Sequence, residues 1–90
     1  MLGALRQKHS YLVEVNHTGG KIKIGWHVMV KRRGTSKYRS HHIVRSNTAI
    51  ASVRRKHVEK SGFRGIIEEY PEIKEVYQIT DTGRVVIHGE

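Results

Sequence analysis

The chain has 90 residues, 37% of them hydrophobic, and carries 17 Lys and Arg against 8 Asp and Glu, a formal charge of +9 with its seven histidines neutral. That length suits one small domain and leaves no room for a catalytic barrel, which takes about 250 residues, or for a doubly wound nucleotide fold. Cysteine is absent, which excludes disulfides, thiolate nucleophiles and Cys-based zinc or iron–sulfur sites and fits a reducing cytoplasm.

Residues 1–9 mix a little apolar material with Arg6, Lys8 and His9 and read as a flexible basic arm before a single domain over 10–90. The start has no signal-type apolar run, and no stretch nears the ~18 apolar residues of a membrane span. The expectation is a soluble, cytoplasmic protein without a membrane partner. From Tyr11 the residues alternate, Tyr11, Val13 and Val15 against Leu12, Glu14 and Asn16, the signature of a half-buried strand. After the Gly19-Gly20 loop, Ile22, Ile24, Trp26, Val28 and Val30 fall on every second position, with Lys21, Lys23, His27, Met29 and Lys31 between them. This spacing predicts a strand with one core face and one cationic face. A third strand over 38–44 completes a long hairpin, 21–44, tipped with Lys31, Arg32, Arg33, Lys37 and Arg39. If Tyr38, Ser40, His42 and Val44 share the Trp26 face, Arg39 and His41 fall beside His27 and Met29, and a register slip reverses this.

At Ser46-Asn47 the period changes. Ala49, Ile50, Val53 and His57 recur at helical spacing up to Gly62, which predicts a helix capped by Ser46 or Asn47 and ended by that glycine. Arg54, Arg55, Lys56 and Lys60 lie off its apolar stripe. Phe63 to Pro71 reads as a short helical turn, residues 73–80 as a strand with Val76, Tyr77 and Ile79 in the core, and 84–88 as a final strand after an Asp81-Thr82-Gly83 turn. The fold class is therefore α+β: an antiparallel sheet of about five strands, β-β-β-α-β-β, packed against one main helix.

Charge is unevenly distributed. Residues 1–64 hold 15 basic and 2 acidic side chains, whereas residues 65–90 hold 2 basic and 6 acidic, an asymmetry that points to a polyanionic partner for the first two thirds. Arginine binds phosphate or guanine through its planar fork and lysine acts as a point charge, and a ribbon or helix has the width to enter a groove. The candidate nucleic-acid-binding residues are Lys31, Arg32, Arg33, Lys37, Arg39, Arg54, Arg55, Lys56 and Lys60. Trp26 belongs in the core by its phase, which leaves few stacking platforms and favours duplex DNA or a structured RNA over a bare single strand. Tyr38 offers a hydroxyl that could reach a backbone phosphate.

No catalytic set emerges. The histidines lack the i, i+4 spacing of a helical metal site, His41 and His42 face opposite ways on one strand, and Glu68, Glu69, Glu72 and Glu75 suit a solvated face. Neither an enzyme, a metal nor a cofactor is expected. Two function classes remain. The first is a nucleic-acid-binding protein that grips phosphates with hairpin and helix. The second is an interaction module or inhibitor that sets the same cations, with apolar neighbours such as Met29, against an acidic surface of a larger protein machine. An apolar run, Val85 to Ile87, gives the C-terminal hairpin 73–88 the character of a sheet edge open to a homodimer.

Overall fold

A computed structural model describes Leu5, residues 9–17 and residues 20–83. Five strands form one fully antiparallel sheet in the order β3-β2-β1-β5-β4. They are β1 (Ser10–Val15), β2 (Gly25–Lys31), β3 (Tyr38–Val44), β4 (Val58–Lys60) and β5 (Ile73–Ile79). Helix α1 (Ser46–Arg54) follows β3, and a five-residue helix, α2 (Gly65–Glu69), lies between β4 and β5. The fold class is the α+β sheet and main helix that the alternating and helical periods predict.

Both faces of this sheet are covered. Leu12 and Val13 are neighbours pointing opposite ways, and each is 0% exposed. Leu12 belongs to a cluster with Trp26, Val28, Val44 and Val58, closed by Ala49 and Val53 of α1 and by Leu5. Val13 belongs to a second cluster with Val15, Met29, Tyr38, Ile73 and Val76, closed by Ile66, Ile67 and Tyr70 of α2 and its flank. The cationic face expected on β2 does not exist: Met29 and His27 are 0% and 2% exposed. The second lid comes from the segment after β4, where Ile66, Ile67 and Tyr70 of the expected short helical turn point inward.

Strand β2 begins at Gly25, not at residue 21, because Gly25 adopts φ 135°, a conformation reserved for glycine. The turn there leaves Ile22 packed against the Met29 side and Ile24 exposed, so neither joins the Trp26 row. Pairing of Val28 with His42 but Met29 with Ser40 makes His41 a bulge residue in β3. The bulge splits the strand's phase. Val44 and His42 share the Trp26 face as the simple alternation predicts, while Ser40 and Tyr38 cross to the Met29 face and Arg39 pairs with Val30.

The main helix is shorter than its period suggests. It ends at Arg54, and the left-handed residue that stops it is Lys56 at φ 59°, not Gly62. The N–H of Lys56 returns to the Val53 carbonyl and that of His57 to Ser52, the two bonds of a Schellman turn. Neither Ser46 nor Asn47 caps the start, which falls to Arg45 without a side-chain hydrogen bond. Val58, 2% exposed, leaves the helical register to pair with Ile79 as β4. Residues 81–83 are helical rather than a turn, and the strand expected over 84–88 lies outside the described residues, as does the basic arm except for Leu5 and His9. Strand β5 is interior, between β1 and β4, so its part of the C-terminal hairpin offers no open edge. Among the described residues no helix is long and apolar enough to cross a membrane.

Glu72 ties the second core to the β1–β2 loop. The residue is buried, and one carboxylate oxygen accepts the N–H of Ile22 at 3.0 Å. Burial alone pushes its carboxyl up, but the N–H groups of Ile22, Glu72 and Lys21, together with the Lys21 charge, prevail and hold it below its usual value of 4.5. A carboxyl depressed in the folded state adds stability that is present above the unfolded value and lost as pH falls through the folded one. Replacing Glu72 with Gln should therefore lower unfolding free energy by about 2 kcal/mol at neutral pH and shrink its loss on acidification below about pH 4.5, read from urea midpoints across pH. An unchanged acid limb would contradict this role.

Candidate nucleic-acid interface

The β2–β3 connection spans residues 32–37, closed by the Arg32 N–H donating to the Lys37 carbonyl at 2.7 Å and the Thr35 N–H donating to Arg32 at 3.1 Å. The Thr35 hydroxyl adds a bond to the same Arg32 carbonyl and accepts the Lys37 N–H. This small, internally bonded loop holds Arg32, Arg33 and Lys37 exposed around one point, with half-buried Lys31 at its base. Lys21, outside the expected set, belongs to the loop before β2; its ammonium sits 5.5 Å from the centre of the Tyr70 ring, and the Arg32 charge also acts on the Tyr70 hydroxyl.

Strand pairing locates the second group. Ser10 pairs with Val30, Leu12 pairs with both Val28 and Tyr77, and Ile79 pairs with Val58. The start of β4 therefore lies at the same end of the sheet as the hairpin tip. Arg54, Arg55 and Lys56 immediately precede β4 and are exposed. They are held there by Thr80, whose hydroxyl donates to the Lys56 carbonyl at 2.6 Å and whose N–H donates to His57. The two groups occupy opposite edges of one end, four strand spacings or about 19 Å apart.

Arg39 is exposed on the α1 side of the hairpin, and Lys60, paired with Tyr77, is exposed on the edge strand β4. The nine residues thus form two clusters with two outliers, not one unbroken patch. Among the described residues the one ion pair is Arg64 to Glu75 at 3.3 Å, which engages none of the nine.

The carboxylates are not the solvated face that their spacing suggests. Glu72 is buried, and Glu69 accepts the Tyr38 N–H at 3.0 Å, bracing the hairpin from below. Tyr38 is itself buried, its hydroxyl pushed up by desolvation and then by Tyr11, and the Tyr70 hydroxyl donates to its carbonyl at 2.7 Å. Tyr38 is core, not a phosphate contact. Trp26 is core as well, tilted 39° against Tyr77. Met29 is unavailable to any partner.

His27 is a structural residue: Nε2 donates to the Lys23 carbonyl and Nδ1 accepts from the Ser40 hydroxyl, each at 2.8 Å. His9, His17, His41 and His42 are exposed and His57 half-buried, and no metal-binding group of three assembles among the described residues. Phe63 is the aromatic that sequence spacing passes over. It stands 38% exposed next to the hairpin, its ring stacked on Tyr11 at 5.1 Å and tilted against Tyr38 at 5.8 Å. The intervening 24 residues carry no local signal that joins Phe63 to Tyr38.

Comparison with protein-family models, curated proteins and solved structures finds no match for the chain. The geometry of the two cationic clusters therefore carries the functional reading.

Lys56 combines an exposed charge with a backbone conformation that costs an L-residue about 1–2 kcal/mol. Glycine at this position relieves that strain against a greater loss of chain entropy, so Lys56→Gly should raise unfolding free energy by about 0.5–1 kcal/mol. Urea denaturation checks this, and a lower midpoint for the glycine variant would contradict the left-handed cap.

Proposed function

We propose that the protein is a non-enzymatic nucleic-acid-binding protein that grips phosphates with the 32–37 hairpin tip and the end of α1. The observation that supports this most is the gathering of Arg32, Arg33, Lys37, Arg54, Arg55 and Lys56, all exposed and outside any ion pair among the described residues, at one end of the sheet. Cations left in water in this way bind a polyanion by releasing its condensed counterions. The ~19 Å between the clusters matches five to six base steps along one strand at about 3.4 Å each, so one duplex segment reaches both.

Protein docking is the second reading, favoured by Ile24 and Ile43, which stand 55% and 65% exposed at the opposite end of β2 and β3. An acidic protein partner that uses them would be lost on Ile43→Asn, a change remote from the phosphate contacts.

Titration with duplex DNA and with a folded RNA at several salt concentrations separates these readings. Six phosphate contacts give a slope of log K against log salt of about −5. Reversing Arg32 and Arg33 to Glu should flatten that slope by about 2 and weaken binding roughly 50-fold at 0.1 M salt, uniformly across sequences. Absence of binding to either nucleic acid at low salt would remove the proposal.

A further inference from the structure

We infer that Phe63 is a stacking platform for an unpaired base, and that the nucleic acid is a folded RNA presenting loop nucleotides beside a helical stem. The inference rests on the phosphate-binding reading above and names its substrate.

Phe63 is held as a platform must be. Tyr11 lies beneath it nearly parallel, at an interplanar angle of 19°, and Tyr38 meets it at 54°. Both supports belong to or pack on the second core, so the ring is fixed before any ligand arrives. Its edge is flanked by Gly65, where a Cβ would approach the ring to 2.7 Å, so only glycine leaves the ring in place. A surface depression beside the ring is lined by Ser36, Lys37, Gly65, Glu68 and Glu69.

The lining is mixed in a way that suits a nucleotide better than a bare phosphate. Lys37 continues the cationic hairpin tip and is placed for the backbone. Glu69 is occupied with the Tyr38 N–H, while Glu68 is exposed at the rim. A carboxylate repels phosphate but accepts hydrogen bonds from the amino and imino N–H groups of a base edge. Those edges and a free π-face are sealed inside a duplex and open in a loop, where proteins read RNA by stacking and edge contacts. A cationic tip for the stem, on the hairpin, and an aromatic step with a carboxylate for the loop, on Phe63 and α2, lie next to one another across one depression.

The test compares an RNA stem-loop having an unpaired loop with the same stem as a blunt RNA duplex, against wild type, Phe63→Leu, Phe63→Tyr and the Arg32→Glu/Arg33→Glu double variant. Phe63→Leu should weaken the stem-loop about tenfold and leave the blunt duplex unchanged, whereas Phe63→Tyr retains wild-type binding to both. The double arginine variant should weaken both RNAs. With 5-iodouridine in the loop, irradiation should crosslink wild-type protein at Phe63, mapped by mass spectrometry. This readout needs no substitution and holds should Phe63→Leu fail to fold. Equal loss on both RNAs, no loss on either, or a crosslink elsewhere would overturn the inference. If the arginine variant still weakens binding in that case, the phosphate reading stands alone; if it does not, both fall.

Discussion

The constraint on which this structure depends is the burial of both faces of one antiparallel sheet. Leu12 and Val13, adjacent in β1, sit at the centres of two separate cores, one closed by α1 and Leu5 and the other by α2 and Tyr70. An antiparallel sheet commonly leaves one face to water, and here neither face is left. Most of the cations therefore sit in the loops, on the edge strands and at the end of α1, and strand order brings two groups of them to one end of the sheet.

Polar groups trapped by the double lid are matched rather than stranded, and no buried side-chain nitrogen or oxygen among the described residues lacks a partner. Glu72 takes the Ile22 N–H, His27 bridges Lys23 and Ser40, and Tyr70 donates to Tyr38. These bonds all converge on the β1–β2 loop and the hairpin. The bond of Tyr70 to the Tyr38 carbonyl, with that of the Tyr38 N–H to Glu69, holds the base of the 32–37 loop, which is what a preformed phosphate contact requires. In the acidic last third, whose spacing suits a solvated face, Glu69 and Glu72 instead brace the hairpin and the β1–β2 loop.

Much of the fold is legible in the residues themselves. Period-two runs at Tyr11–Val15 and Trp26–Val30 mark strands because each side chain alternates between two apolar clusters, and the 38–44 strand has the bounds that its turn signals imply. The misreadings have local physical causes. Gly25 turns the chain and removes Ile22 and Ile24 from the strand, the His41 bulge reverses the faces of Tyr38 and Ser40, and Lys56 ends the helix where a glycine is the usual signal. None of these shows in hydrophobic spacing, because a bulge or a left-handed lysine is selected by long-range pairing, here of Val58 with Ile79 and Ser40 with Met29. Eight of the nine candidate cations are exposed and Lys31 is half-buried, but their division into two clusters follows from strand order, and the proximity of Phe63 to Tyr38 follows from the second core.

The account depends on the two clusters acting on one polyanion. Its most direct test is an NMR titration of the isotopically labelled protein with a folded RNA, following backbone amides across the chain. Amides of 31–37 and of 54–56 should shift along a common isotherm with one apparent Kd, while those around Ile24 and Ile43 stay still. Shifts confined to one cluster, two clusters that saturate at different RNA concentrations, or changes centred on Ile43 would contradict it.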